Sequence, residues 1–295
     1  FRPLAEARIS VAQLAGGRVP RVARRAAARD PLFVAAAVVA LAIVALALFG
    51  PLLAPYDPNE LYVGPISGPS SLAHLLGTDD LGRDILSRVM MGAAPSVFAP
   101  VFVVVISTVL GAVVAIASAW FGGWVDGVST RVVEVIFAIP GLVLAVLAVA
   151  MFGKGLVAPV LALSIAYLPI VSRLVRAGAR SELGRPYIAA LRIQGISSFA
   201  ICFRHLVPAL LPTLLAQSTI GFGYAMLDLA AISFLGLGAQ PPASDWGVMI
   251  SAGQPALLTG APEQSMYPAL LVVLTVLAVN ILGARVTAWA ERSDA

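Results

Sequence analysis

Charge is scarce in this 295-residue chain: 12 % of its residues are Asp, Glu, Lys or Arg, against about 25 % in soluble domains. With 60 % hydrophobic residues and a mean hydropathy of +0.95, the composition excludes a soluble globular domain and implies a polytopic membrane protein. Cysteine is almost absent. Cys202 alone can form neither an internal disulfide nor a multi-cysteine metal site, and reads as an inert thiol. His74 and His205 fall far apart, on opposite sides of the topology derived below, so no metal pair is expected. Lysine is reduced to Lys154; Arg supplies the other 18 of 19 basic residues, which with heavy Ala and Val use points to GC-rich coding. No Gly-x4-Gly-Lys-Ser/Thr segment occurs, so ATP binding by a phosphate loop is excluded, and Gly221-Phe-Gly223 lacks the third glycine and strand–helix setting of a dinucleotide site. The chain opens on Phe1 rather than Met, so its native start is expected upstream.

What is present is a series of apolar runs. Six all-α spans are predicted: Leu32–Leu53, Ser96–Trp120, Val132–Phe152, Val157–Leu174, Leu206–Leu235 and Tyr267–Trp289. Each is long enough for a ~30 Å hydrocarbon layer. Trp120, Trp124, Tyr267 and Trp289 fall near predicted ends, where amphipathic rings favour the interface. With both termini inside, the inner segments and inner span ends hold 16 of the 19 basic residues, leaving Arg83, Arg88 and Lys154 outside. The reverse topology would violate the positive-inside rule. The outer segments gather Asp57, Glu60, Asp79, Asp80, Asp84, Asp245 and Glu263, giving an acidic face opposite a basic one.

The organisation that follows is a basic cytosolic arm (1–31), a first span (32–53), an outer segment (54–95), a five-span core (96–289) and a short cytosolic tail (290–295). The core holds an inner loop at 178–205 and an outer loop at 236–266. The arm carries seven arginines and two acids, and the apolar run after it exceeds a signal peptide's core, so an uncleaved span is expected. Anionic lipid is the arm's natural counterpart. Without interleaved aromatics, it gives no reason to expect nucleic acid.

Within the inner loop, Ser181–Gln194 can form a short helix, Gly195 can take a turn that side chains resist, and Ser197 or Ser198 can cap a second short helix leading into the fifth span. Outside, the carboxylates of Gly77–Asp84 lack the alternation and late Glu of a calcium loop. Asp79 or Asp80 is expected to cap a short helix over Ile85–Met91, with Arg83 and Asp84 in local contacts; contact with a protein docking from outside is the other reading. Near the inner interface, Arg131 and Glu134 are spaced for a local i,i+3 pair. Asp228 lies inside the fifth span, seven residues or ~10 Å from its outer end. A charge at that depth favours a bundle-interior or cavity-facing position. Two readings stay open: a translocation path that Tyr224 also lines, or a structural hydrogen bond to neighbouring Ser or Thr groups.

Four stretches share one resemblance. Gly77-Thr-Asp-Asp-Leu-Gly-Arg-Asp-Ile-Leu-Ser-Arg88 with Gly92-Ala93, Trp120-Phe-Gly-Gly-Trp-Val-Asp126 with Arg131 and Pro140, Tyr187–Pro208 around Gly195, and Ser233-Phe-Leu-Gly-Leu-Gly238 with Gln240-Pro-Pro242 and Trp246-Gly247 resemble, in order, the C-type permeases of dipeptide and oligopeptide ABC importers (the DppC/OppC group). The resemblance implies a type I importer permease fold in the bacterial inner membrane. It implies alternating access without bond chemistry on this chain, with ATP and Mg on partner subunits. The partners implied are a homologous second permease in a heterodimer, two cytosolic ATPases and an extracytoplasmic peptide-binding protein. Arg185, Tyr187, Ala189, Ala190, Leu191, Arg192, Gly195, Arg204 and Pro208 would belong to the ATPase-coupling loop; Asp79, Asp80, Arg83, Asp84, Gln240 and Trp246 would offer outer contacts. One departure is visible. Where the family's loop reads Glu-Ala-Ala, aligning on Gly195 gives Ala189-Ala190-Leu191, so Arg185, Tyr187 and Arg192 would carry more of the contact. Dipeptides or oligopeptides are the expected cargo. Nickel chelates, glutathione and other small solutes are alternatives within the resemblance, and an ion-coupled secondary transporter or a structural anchor outside it.

Overall fold

The computed structural model describes residues 31–293, with side chains through Val286. The basic arm (apart from Pro31), the Trp289 ring and the side chains of the 290–295 tail lie outside the described residues. Described secondary structure is helical: α1 (Pro31–Leu53), α2 (Ile85–Phe121), α3 (Gly123–Phe137), α4 (Gly141–Phe152), α5 (Val157–Leu183), α6 (Pro186–Ile193), α7 (Ser198–Ile201), a π turn (Cys202–Leu206), α8 (Val207–Phe234), α9 (Trp246–Ala252), α10 (Gln254–Leu258) and α11 (Glu263–Ser293).

Five segments are long and apolar enough to cross a bilayer: α1, α2, α5, the run Ser198–Phe234, and α11 through Val286. The candidate for a sixth crossing is a bent pair, α3 and α4, which meet at 81° and make either a broken span or a re-entrant loop. The continuous span expected over Val132–Phe152 is therefore corrected. Pro140 disfavours helical geometry at Ile139, and α4 restarts after it as 12 residues, which rise only ~18 Å.

Two other boundaries differ from expectation. α2 does not begin at Ser96 but at Ile85, running 37 residues without interruption, so there is no separate Ile85–Met91 helix. Its cap is Asp84, whose carboxylate accepts from Ser87 N at 2.8 Å and Ser87 Oγ at 2.7 Å, and not Asp79 or Asp80. α5 continues past Leu174 to Leu183, absorbing the first residues of the expected loop helix, and α6 starts only after Gly184 and Arg185 with Pro186 in its first turn.

α2 lies along α5, and Gly111 permits the closeness: a Cβ there would stand 2.8 Å from Val171 Cβ. α8 packs against α2, α5 and α11, and α1 covers α2 and α11. Two apolar clusters result. One, toward the outer side of the predicted topology, joins Ile43, Ile85, Val89, Met226, Trp246 and Met249; the other joins Ala115, Val171, Val175, Ala179, Leu206 and Leu210 toward the inner side. Between those levels α2, α5 and α8 part around a cavity.

Candidate functional site: an inner elbow, a membrane cavity and an outer knot

The inner elbow is built as a Schellman turn. Ile196 N donates to Leu191 O at 3.2 Å and Gly195 N to Arg192 O at 3.0 Å, with Gly195 at φ +77°, so the last carbonyls of α6 are satisfied across a reversal that glycine accepts most cheaply. Ser197 caps α7 by accepting from Ala200 N at 3.3 Å. The bend before α6 is held by Glu182, which is buried, accepts from Tyr187 Oη at 2.6 Å and forms an ion pair with Arg185 Nε at 3.0 Å. Loss of water around the phenol, then its bond to Glu182, pushes the Tyr187 pKa up to about 12. Arg192 stacks over Trp120, its guanidinium carbon 5.4 Å from the ring centroid.

Three expected contact residues, Arg185, Tyr187 and Arg192, are thus already engaged within the chain. Ala189, Ala190, Arg204 and Pro208 are exposed, and Leu191 is half-buried. The largest exposed apolar groups on the elbow are ones the sequence reading did not single out: Ile193 at 87 % exposure, Phe199 at 73 % and Phe203 at 57 %. Phe199 and Phe203 stack at 4.4 Å between centroids. Their i,i+4 spacing in a polar loop was the available signal. Glu182 was also missed. Beside the elbow, Asp126 of α3 accepts from Ser118 Oγ, from Arg176 Nε at 2.7 Å and from Arg180 Nη2 at 2.6 Å, fastening α3 to the inner end of α5. The expected Arg131–Glu134 pair does not form.

The cavity holds about 490 Å³ and is lined by α2 (Val104, Ser107, Thr108), α5 (Tyr167, Ile170, Val171) and α8 (Gln217, Ile220, Gly221, Tyr224, Asp228). It brings together the two predicted path residues. Asp228 is half-buried, and its Oδ2 accepts from Tyr167 Oη at 2.7 Å; Tyr224 is 64 % exposed. Tyr167 was not anticipated from sequence. The hydrogen bond Asp228 makes is not to a Ser or Thr but to a tyrosine that lines the cavity itself.

Outside, the acidic cluster is a structural knot rather than an open contact surface. Asp79 is fully buried; its Oδ1 accepts from Leu81 N and Arg83 N, both at 2.9 Å, and its Oδ2 from Arg83 Nε at 2.7 Å. Arg88 Nε lies 3.3 Å from the same oxygen without hydrogen-bond geometry, while its Nη1 donates to Pro58 O at 3.0 Å. Asp84 Oδ1 pairs with His74 Nδ1 at 3.0 Å. Trp246 is likewise buried, its Nε1 donating to Val89 O at 3.0 Å and its backbone N to Ser96 Oγ at 2.9 Å. Asp245 caps α9 by accepting from Gly247 N and Val248 N, and burial pushes its carboxyl above the usual range. Outer contacts are therefore corrected for Asp79, Arg83, Asp84 and Trp246, which the fold consumes. Asp80 stays exposed but is bonded to Gln264 through Nε2–Oδ1 at 2.9 Å, and Gln240 folds back on Gly236 O and Gly238 O.

Residues 107–293 match the family described as the binding-protein-dependent transport system inner membrane component, and residues 21–69 match the N-terminal TM domain of oligopeptide transport permease C. The chain is 37 % identical over 257 residues to the glutathione transport system permease protein GsiD of Pectobacterium atrosepticum, covering 86 % of this chain and 85 % of that one. A GsiD protein of Escherichia coli is also 37 % identical over 257 residues, with 86 % and 84 % covered. Among solved structures, the inward-facing MetNI methionine ABC transporter superposes with TM-score 0.52 at 21 % identity, over 69 % of this chain and 95 % of that one. An amino acid ABC transporter crystallised with histidines gives 0.50 at 18 % identity, over 70 % and 94 %. These likenesses carry the fold, and the family matches carry the rest. The chain belongs to the binding-protein-dependent transport family and is a multi-pass inner-membrane permease of an ABC importer.

Proposed function

We propose that this permease imports small peptides, with glutathione (itself a tripeptide) among its candidate cargoes. It works beside a second, homologous permease, two cytosolic ATPases and an extracytoplasmic binding protein. Bond chemistry belongs to the ATPases: ATP binding closes their dimer, the α6–α7 elbow carries that movement into the spans, and the spans open toward the binding protein. Hydrolysis resets the inward-facing state.

The observation that carries this reading is the elbow. Ile193, Phe199 and Phe203 are exposed on a capped, glycine-turned projection where the topology puts cytosol. An exposed apolar patch on a rigid turn marks a protein interface. Peptide cargo is favoured by the match to oligopeptide permease C and by the glutathione permeases at 37 % identity. The test is the Phe199→Ser/Phe203→Ser pair in the full complex. Burial of each ring is worth ~1.5–3 kcal/mol, so ATPase retention on purification is expected to weaken at least ~100-fold, with the permease pair intact. Full retention in the double variant would refute the docking role. Cargo is decided by uptake of labelled glutathione and labelled dialanine, each competed by the other.

A further inference from the structure

We propose that Asp228 selects cargo inside the membrane by holding its protonated amino group. The inference rests on the importer reading above and adds to it the chemical feature that the translocation path recognises.

Asp228 is the acidic residue among those lining the cavity, and among the described residues no basic side chain lines it. Tyr167 Oη donates to Oδ2 at 2.7 Å, fixing the carboxylate, while Oδ1 has no hydrogen-bond partner among the described residues. A carboxylate kept only for that phenol would be an expensive choice. An amide accepts the same bond without placing a charge at membrane depth. Instead the phenol holds one carboxylate oxygen and the other is left available, inside a space of about 490 Å³, which is within the range that takes small ligands.

The rest of the wall suits an ammonium-bearing peptide. An ammonium brings three donors and no acceptor, matching an acceptor-only oxygen. Tyr224 stands one turn along α8 with much of its ring exposed, offering an aromatic face to a cation. Gln217 and Ser107 line the same cavity and can pair with peptide amide groups. Cargo with a free amino terminus fits this arrangement; N-blocked peptides and anions without an amine do not. An arginine of the second permease would present the same positive charge, and the test separates it from cargo.

The test uses the complete transporter in proteoliposomes with its binding protein, comparing wild type with Asp228→Asn and Asp228→Glu. Dialanine uptake per complex, ATP hydrolysis and subunit stoichiometry are measured together. Loss of one charged hydrogen bond in the path predicts that Asp228→Asn lowers the uptake kcat about 10- to 100-fold. KM for the loaded binding protein, ATP hydrolysis and stoichiometry should hold, and Asp228→Glu should recover part of the uptake. Uptake by Asp228→Asn within about twofold of wild type overturns the proposal. So does loss of the second permease from that variant, which would assign the charge to a subunit contact. The importer reading fails separately, if wild-type uptake proceeds without ATP.

Discussion

Replacing Gly195 isolates the backbone contribution to coupling. A Cβ at this position would meet nothing within 4 Å, so substitution introduces no clash, only the strain of φ +77°. For an L residue the left-handed region costs roughly 1–2 kcal/mol, least for Asn and most for a β-branched side chain. Gly195→Ala should therefore cost about 1 kcal/mol, Gly195→Val about 2 or more, and Gly195→Asn only a fraction of that. The turn is exposed, so the chain can relieve the strain by abandoning the Schellman bonds from Gly195 and Ile196. The docked geometry then becomes about 5- to 30-fold less populated. The assay is uptake per ATP hydrolysed in the reconstituted complex, with thermal unfolding of the permease measured alongside. Coupling should fall in the order Gly, Asn, Ala, Val while Tm stays put, because the bundle does not pack on this residue. A Val variant that couples like wild type would refute the view that the elbow must be rigid. So would a Tm that falls in step with coupling.

Two further outcomes concern stability. Asp79→Ala strands the buried Arg83 and Arg88 guanidiniums, and breaking a buried pair costs about 3–5 kcal/mol; a clear drop in Tm is expected, whereas Asp80→Ala, losing exposed contacts, should cost about 1 kcal/mol or less and move Tm little. At the elbow, folding raises the Tyr187 pKa from 10.0 to about 12. The stability that this shift contributes is thus fully present below pH 10 and lost as pH rises through about 12. An ultraviolet titration of wild type against Tyr187→Phe should assign one phenol to that range, and Glu182→Gln should bring it part of the way back down.

The spans were legible because twenty apolar residues in a row admit few other uses, and the arginines oriented them. Boundaries were less legible. Asp79 and Asp80 look like caps from the sequence and Asp84 like a local contact, and only the fold shows that Asp84 ends a loop on Ser87 while Asp79 is buried between two arginines. The same ambiguity made a contact surface of Trp246, whose ring instead fills the gap beside Gly92. Gly195 was readable because its role is local. Glu182 and Tyr167 were not, because each acts through a partner: Tyr187 five residues on in one case, Asp228 on another helix in the other.

Those two residues also share a helix, and this links the elbow to the cavity. α5 carries Tyr167 at the cavity wall and Glu182 at the elbow, 15 positions apart or ~22 Å along the axis. Glu182 binds Arg185 and Tyr187 across the Gly184 bend, so on the proposed coupling these bonds would pass a displacement of α6 into α5. Asp126 joins α3 to the same stretch through Arg176 and Arg180. The rod is weakest at Pro169, where the missing N–H removes a backbone bond. That break falls two residues from Tyr167, at the level of the cavity. On the proposed coupling, force entering at the elbow would therefore find its hinge beside the residue that bonds Asp228.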